Sequence, residues 1–262
     1  MIGKTIKIID KTIGYSIPLK KWRTIYNTLY YYKFYKDFLR YNKQLKKLKN
    51  KHKGERCFII GTGPSLNKTN LSLINNEFLF GVNTLYKGLD KFKIDCKYWV
   101  VGDQKVFIEH YKSLLNLDTT IFLAGNAGRR FLERKQHLLK NAKIDPIVIK
   151  TIGRINIYKK FSEDLTKGLY SEGNVVITTI QIAFYLGFKE VYLIGCDSTY
   201  KGAHHFNGEK HSFQTERKWS RIFAAYELCK KSFEKRGRKI YNSTVGGQLE
   251  VFERKSLEEV MK

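Results

Sequence analysis

The sequence has little of what marks secreted, disulfide-rich or membrane-spanning proteins. It contains three prolines and four cysteines in 262 residues, and no two cysteines form a CxxC pair. Cysteines so widely separated in apolar stretches predict buried free thiols in a reducing compartment, with zinc binding or catalysis as the lesser alternative. We find no signal-peptide pattern and no run near the roughly 20 apolar residues that span a bilayer. We therefore expect a cytoplasmic protein.

Negative charge is also scarce. The chain carries 49 Lys and Arg against 24 Asp and Glu, which gives a formal net charge of +25. Residues 1–56 contain 16 of the basic residues and only three of the acidic ones. About half of the excess thus lies in the first fifth of the chain, which predicts a basic appendage that meets a polyanion, either anionic lipid or nucleic acid.

The segment 18–53 is basic, aromatic and spaced like a helix. Apolar residues recur there every three or four positions, which predicts one apolar stripe on an amphipathic helix. Two roles remain open: binding at an anionic membrane surface, or packing on its own domain or on a second copy of the chain. Binding of nucleic acid through this segment is disfavoured, because contacts to phosphates alone do not require so many aromatic side chains. The stripe consists of Trp22, Ile25, Leu29, Tyr32, Tyr35, Phe38, Tyr41, Leu45 and Leu48.

From residue 54 onward short apolar runs alternate with helical stretches. This alternation predicts an α/β fold: a Rossmann-like, mostly parallel sheet with helices on both faces over 54–262, preceded by the helical segment 1–53. The predicted strands are 56–61, 78–83, 97–103, 120–125, 146–152, 190–197 and 239–244. The predicted helices are 104–115, 127–140, 174–187 and 214–236.

Several predicted strands end in glycine and polar residues, where open α/β sheets bind ligands. After the first strand come Gly61, Thr62, Gly63, Pro64 and Ser65. Glycines allow close backbone approach to an anion, and Ser65 lies near a helix start that favours negative charge. The same pattern also fits a tight strand-to-helix turn. It lacks the third glycine of a dinucleotide fingerprint and the lysine of a P-loop.

Other strand and helix ends add polar candidates. Asn83 suits recognition of a base or ribose, whereas Asp103 suits ribose or metal binding or the capping of the next helix. Gly173 and Asn174 open an apolar helix whose first N–H groups are available to a phosphate. Asp197 ends the strand that follows this helix.

The polar loop after Asp197 contains His204, His205 and His211. Long loops in compact domains are usually functional or disordered, and histidine is a common general base. The alternative is that these histidines are solvated loop residues. The adjacent pair does not have the spacing of a zinc site.

Five stretches occur in an order that resembles a known superfamily: "FIIGTGPSLN", "FGVN", "YWVVGD", "GNVVITTIQIAFYLGFKEVYLIGCD" and "NSTVGGQLEVFERKSLEEV". They are similar to the 6-hydroxymethylpterin diphosphokinase-like (MptE-like) proteins. They also resemble the bacterial sialyltransferases and the glycosyltransferase core of motility-associated flagellin-modifying proteins. The resemblance covers residues 55–260.

The sialyltransferase resemblance implies an inverting transfer from a CMP-activated acidic sugar to a glycan or glycolipid acceptor, without a required cofactor, in bacterial surface polysaccharide synthesis. It implies that His211 is the general base, that Tyr200 binds the departing phosphate and that Asp197 belongs to the catalytic group. In that family a second tyrosine also binds the departing phosphate. It has no match in this sequence, although His204 or His205 stands near its place. The residues implied to bind nucleotide or donor are Gly61, Thr62, Gly63, Pro64, Ser65, Asn83, Asp103, Gly173, Asn174, His204 and His205.

The MptE-like resemblance implies instead an ATP-dependent pyrophosphokinase that acts on a pterin or related molecule. Asp103 and Asp197 would then hold Mg²⁺, which proteins bind through one or two carboxylates plus phosphates. A third interpretation is a non-catalytic nucleotide-binding or scaffold protein that forms a homo-oligomer. With the glycosyltransferase interpretation, we expect a peripheral protein on the inner face of the cytoplasmic membrane, bound through residues 18–53 to anionic lipid.

Overall fold

The computed structural model describes residues 25, 28–140, 142–155, 159–171, 173–198, 205–208 and 216–262. The chain divides into two units, Met1–Arg40 and Tyr41–Lys262. Of the candidate site residues, Tyr200, His204 and His211 lie outside the described residues. Trp22 and the rest of 18–24 also lie outside them.

The larger unit is built on parallel strands. The strands are β1 Arg56–Ile60, β2 Phe78–Val82, β3 Tyr98–Val101, β4 Thr120–Leu123, β5 Ile147–Val148, β6 Thr151–Arg154, β7 Leu169–Ser171, β8 Glu190–Ile194, β9 Lys239–Asn242 and β10 Glu253–Arg254. Within the described residues, eight strands form one sheet in the order β10-β9-β8-β1-β2-β3-β4-β5, and β6 and β7 form a separate pair. Every strand pairing in both sheets is parallel.

The strand order reverses direction next to β1. The chain moves outward from β1 to β5 and then returns to place β8 on the other side of β1. Crossovers between parallel strands are right-handed, so the helices of the two halves cover opposite faces. The predicted doubly wound α/β fold is confirmed.

The four helices predicted after residue 54 are present with ends within two residues of the prediction. Within the described residues the helices are α1 Tyr35–Leu48, α2 Leu89–Phe92, α3 Gln104–Leu114, α4 Gly125–Leu138, α5 Val175–Leu186, α6 Glu216–Glu234 and α7 Leu257–Val260. Of these, α2 and α7 were not predicted. The central helix α5 is apolar all round, and its residues Val176 to Leu186 are all buried, because it packs over β1, β2 and β3. It ends at Gly187, whose φ of 101° is a left-handed cap.

One predicted strand was wrong in extent. The run 146–152 is divided between β5 in the main sheet and β6 in the small one. The Ile149 N–H still donates to the carbonyl of Leu123, but the Lys150 carbonyl accepts from Leu169 on β7. Since β5 is an edge strand, no further neighbour holds the chain in the main sheet, and it leaves to pair elsewhere.

The aromatic stripe of the basic segment is exposed in its first part and buried at Tyr41 and Leu45. Ile25, Leu29 and Tyr32 are exposed, with Tyr32 83% exposed, whereas Tyr41 and Leu45 are buried. Most steps between stripe positions are three residues, and each such step falls about 60° short of a full turn. On an ideal helix a stripe with these steps winds around the axis.

The second half of α1 belongs to the larger unit. Tyr41 and Leu45 are at most 1% exposed, and the Tyr185 hydroxyl donates to the Leu45 carbonyl at 3.1 Å. For these residues, packing on the chain's own domain is what the structure shows. Among the described helices, none is long and apolar enough to cross a membrane.

Candidate functional site

The candidate site lies where the strands of the main sheet end, here called the carboxyl edge. The loops after β1, β2, β3 and β8 meet there, beside the point where the strand order reverses. Ligands of open α/β sheets bind at such points. The polar candidates predicted from the sequence lie in these same loops.

The glycine turn after β1 bonds mainly to the loop after β8. The Gly61 N–H donates to the Ile194 carbonyl at 2.7 Å, and the Gly63 N–H donates to the Gly195 carbonyl at 2.9 Å. The Ser65 N–H donates to Asp197 Oδ1 at 3.2 Å. Because these three donors are used within the protein, the turn is not an open cradle of N–H groups like a P-loop.

Asp197 is the centre of this contact. The Ser65 hydroxyl donates to Asp197 Oδ2 at 2.7 Å, so both carboxylate oxygens accept from the same residue, and Asp197 is only 8% exposed. A Cβ on Gly63 would overlap this carboxylate, and one on Gly247 would lie 2.7 Å from the Asp197 carbonyl oxygen. Glycine is thus needed on two sides of Asp197, which acts in this structure as a clamp between loops.

His205 is the loop histidine that the structure places at the glycine turn. Its Nδ1 lies 2.7 Å from the Thr62 hydroxyl, and the N–H of Phe206 donates to the Thr62 carbonyl at 2.8 Å. Phe206 is 8% exposed and packs edge-on against Phe92. The Asn67 amide also donates to the Phe206 carbonyl at 2.9 Å. These contacts fix His205 beside Thr62.

Asn83 follows β2 in a strained conformation. Its φ is 45°, in the left-handed region that non-glycine residues rarely adopt. The Trp99 indole N–H donates to its backbone carbonyl at 3.1 Å, and its Oδ1 accepts weakly from the Gly102 N–H at 3.5 Å. Such strain persists where the surroundings hold it, and it occurs often at functional sites.

Asp103 and Asn174 both cap helices. Asp103 Oδ1 accepts from the Val106 N–H at 3.0 Å at the start of α3, and Asn174 Oδ1 accepts from the Val176 N–H at 2.8 Å at the start of α5. A Cβ on Gly102 would lie 3.8 Å from the Val175 side chain. The start of α5 therefore lies beside the end of β3, close to Asn83 and Asp103. Gly173 precedes this cap with a φ of 75°.

The sequence comparison with known families decides the affiliation. The model of the family described as 6-hydroxymethylpterin diphosphokinase MptE-like matches residues 31–203, which is more than half of the chain. The chain belongs to this family. The resemblance to the MptE-like proteins noted from the ordered stretches is thereby confirmed over residues 31–203.

A solved structure adds a similarity of fold. The MptE-like chain superposes on the structure of the MAf glycosyltransferase from Magnetospirillum magneticum AMB-1 with a TM-score of 0.51 and 16% sequence identity. The match covers 80% of this chain but only 35% of that protein. At this identity the similarity shows a shared fold. No curated protein matches the chain.

The two carboxylates expected to hold Mg²⁺ in the pyrophosphokinase interpretation both accept hydrogen bonds within the MptE-like chain. Both oxygens of Asp197 accept from Ser65, and Asp103 uses one oxygen to cap α3. Asp197 is buried whereas Asp103 is exposed, so Asp103 is the more accessible of the two carboxylates. Nowhere in the described residues do three His, Cys, Asp or Glu side chains cluster as metal ligands would.

The four cysteines lie in the interior of the protein. All four are buried free thiols, as predicted, and burial with the charge of Asp197 raises the pKa of Cys196 to about 12. Only the thiolate is a strong nucleophile or metal ligand, so Cys196 is inert despite its place at the carboxyl edge.

Sequence reasoning missed Lys150 and the pair formed by Tyr86 and His110. Lys150 is half-buried just after β5, and desolvation lowers its pKa. The Tyr86 hydroxyl lies 3.1 Å from His110 Nδ1. Lys150 lies inside the run 146–152, which was predicted as one strand, so its place at the break between β5 and β6 could not be recognised. His110 lies two turns beyond Asp103 on α3, a spacing that identifies it only once the helix start is known.

Proposed function

We propose that this MptE-like protein is a glycosyltransferase that moves an acidic sugar from a CMP-activated donor to a glycan or glycolipid acceptor in surface polysaccharide synthesis. The observation that carries the proposal is the meeting of the glycine turn, Asn83 and the start of α5 at the carboxyl edge, beside the point where the strand order reverses. Transfer from a CMP-sugar releases a nucleoside monophosphate and needs no metal at the phosphate. The fold shared with a glycosyltransferase supports the same class.

The proposed reaction is an inverting displacement. The acceptor hydroxyl attacks the anomeric carbon, its proton passes to His211, and CMP departs with the bonding electrons while Tyr200 donates to its phosphate. Asn83 and the start of α5 would contact the nucleotide and donor. Asp197 acts through Ser65 by holding the glycine turn in place rather than by touching the donor.

The same proposal places the protein against an anionic membrane, as a peripheral protein on its inner face. The exposed residues Leu29, Tyr32 and Tyr35 support this contact, because amphipathic tyrosines with neighbouring lysines suit a headgroup layer. Self-association through the same face is the alternative.

A second candidate is an ATP-dependent pyrophosphokinase, which the description of the matched family favours.

Nucleotide binding separates the two functions. We expect CMP to raise the melting temperature without Mg²⁺, because a ligand that binds only the folded state stabilises it by mass action. The measurement is a thermal shift with CMP, CDP and ATP, each with and without Mg²⁺. Stabilisation by ATP and Mg²⁺ alone would overturn the proposal, and no shift with any nucleotide would favour a scaffold.

Replacing Asn83 with glycine tests its role in binding. We expect unchanged or slightly higher stability, since glycine adopts the φ of 45° without strain. We also expect CMP affinity to fall about tenfold, because the side-chain amide that would contact CMP is removed. Calorimetric titration with CMP measures the affinity. The control is Lys93→Gly, an exposed residue with a φ of 51° at the end of α2, where affinity should not change. Unchanged CMP affinity in Asn83→Gly would remove Asn83 from the site.

A further inference from the structure

The connection between the parallel strands β9 and β10 contains no helix. Parallel strands are usually joined by a crossover that includes a helix, and the helix packs on the sheet. Here residues 243–252 form neither helix nor strand, and residues 245–248 are exposed. Such a segment keeps its conformation only through its own contacts with the rest of the protein. We call residues 244–248 the β9 loop.

The side chain of Arg254 collects the carbonyl groups of the β9 loop. Its Nη1 donates to the carbonyls of Thr244 at 3.0 Å and of Gly246 at 2.9 Å. Its Nη2 donates to the carbonyl of Gly247 at 3.1 Å. Among the described residues, Arg254 is the only hydrogen-bond partner of the tip of the loop, residues 245–247. Binding three carbonyls at once suits the planar fork of arginine, which has five N–H donors in fixed positions.

The two ends of the β9 loop are fixed separately, from inside the protein. Asn242 is 1% exposed, and its Oδ1 accepts from the Thr244 N–H at 3.0 Å. Its Nδ2 donates to the Leu249 carbonyl at 2.6 Å. The Thr244 hydroxyl also accepts from the Cys196 N–H at 3.1 Å. Because none of these buried contacts involves Arg254, we expect the protein to fold and the loop to stay attached at both ends when Arg254 is replaced.

The β9 loop packs against the main chain of Asp197. A Cβ on Gly247 would lie 2.7 Å from the Asp197 carbonyl oxygen and 3.0 Å from its Cα, so the two backbones are in close contact. The Gln248 N–H donates to the same carbonyl at 2.8 Å. On its other side, the Asp197 carboxylate accepts from the N–H and the hydroxyl of Ser65. Asp197 therefore lies between the β9 loop and the glycine turn after β1.

We propose that Arg254 is a positioning residue for the candidate site. By drawing three carbonyls together it holds the β9 loop on the main chain of Asp197, and Asp197 holds the glycine turn through Ser65. Arg254 is exposed on the edge strand β10, so it acts through this series of contacts. The inference rests on the proposed function only in that the glycine turn binds a nucleotide, whichever nucleotide that is.

Replacing Arg254 with alanine tests the proposal by amide hydrogen exchange of the full chain, followed by NMR. We expect the Gln248 N–H to exchange about tenfold faster and the Ser65 N–H about threefold faster, because the loss of hydrogen bonds to a charged group favours local opening. Exchange at Phe58 in β1 should not change. The matched control is Arg236→Ala, since Arg236 is also exposed but binds Glu163.

A nucleotide titration of the same variants keeps this inference separate from the proposed function. We expect CMP affinity to fall about threefold in Arg254→Ala, with little change in the urea midpoint, because substitutions of exposed residues change global stability little. Arg254→Lys should recover part of the affinity and part of the protection at Gln248, since an ammonium group still donates to some of the carbonyls. If the parent chain does not bind CMP, the proposed function fails, and the exchange rates still decide the role of Arg254.

Four results would overturn the proposal. Faster exchange at Gln248 alone would mean that the β9 loop does not support the glycine turn. Unchanged exchange at both Gln248 and Ser65 would mean that the loop does not depend on Arg254. Equal acceleration at Phe58 would mean that Arg254 stabilises the whole fold instead of the site. Unchanged CMP affinity in a chain that binds CMP, despite faster exchange at Ser65, would remove Arg254 from the support of the site.

Discussion

Replacing Gly63 with alanine is expected to lower the free energy of unfolding by about 3 kcal/mol and to remove nucleotide binding. Gly63 has an ordinary extended backbone, with φ −66° and ψ 157°, so the cost comes from space and not from backbone strain. An added Cβ would overlap the Asp197 carboxylate and lie 2.7 Å from the Gly195 carbonyl oxygen. Both neighbours are buried and held by hydrogen bonds, so neither can move without separating the loops after β1 and β8.

Gly102→Ala is the matched control at the same edge. Its Cβ would meet nothing closer than the Val175 side chain at 3.8 Å, which is ordinary contact. Chemical denaturation should therefore show a large loss for Gly63→Ala and a small one for Gly102→Ala. If Gly63→Ala is too unstable to purify, Ser65→Ala provides a milder test, because it leaves one oxygen of Asp197 without its donor and should cost about 1–3 kcal/mol. Wild-type stability in both Gly63→Ala and Ser65→Ala would show that the clamp does not form.

The main elements were predictable because the sequence marks their ends. The strands β1, β2, β3 and β8 are short apolar runs followed by glycine, asparagine or aspartate, and this pattern identifies buried parallel strands. The helix α5 was equally clear, since it begins at an asparagine cap and ends at Gly187. Local signals of this kind do not depend on where the other elements lie.

The contact between Ser65 and Asp197 could not be predicted in the same way. These residues are 132 positions apart and meet only because β8 pairs with β1, at the point where the strand order reverses. The strand pattern therefore places Asp197 at the correct edge but gives no sign that both its oxygens are already used. For Asp103, the sequence is compatible with capping and with ligand binding, and the structure shows the cap.

The amphipathic segment shows what counting apolar positions leaves out. A count of apolar residues every three or four positions does not separate a straight stripe from one that winds. Spacings of three predominate from Leu29 to Tyr41, so on an ideal helix the stripe drifts around the axis. Tyr32 is exposed and Tyr41 is buried. Because each residue turns an α-helix by about 100°, summing these angles along the segment reveals the drift from the sequence alone.

His52 should make the stability of the protein depend on pH. It is 5% exposed, stacks on Phe188 at 4.6 Å between ring centroids, and has hydrogen bonds of 2.6 Å to Glu55 and to the Tyr98 hydroxyl. Burial lowers its pKa below the usual value near 6.5, and Lys51 and Lys97 lower it further, while Glu55 opposes the shift. The folded protein therefore favours the neutral ring.

The sign of the effect follows from this lowered pKa. Above about pH 6.5 the ring is neutral in both states, and the contribution of His52 to stability is fully present. As the pH falls below that value, the unfolded chain takes up a proton that the folded chain resists, so the free energy of unfolding decreases. The decrease continues until the pH passes the pKa of the folded state.

We expect the variant His52→Gln to lose this pH dependence and about 2 kcal/mol of stability at neutral pH. The loss has two sources: the stacking contact with Phe188 disappears, and the hydrogen bonds to Glu55 and Tyr98 are weakened. Urea denaturation at several pH values between about pH 8 and pH 5 measures both effects. His137→Gln is the control, because His137 is exposed on the last turn of α4. Only the parent chain has an imidazole at this position to titrate. If His52→Gln loses stability on acidification as steeply as the parent chain, the prediction is wrong and other groups cause the pH dependence.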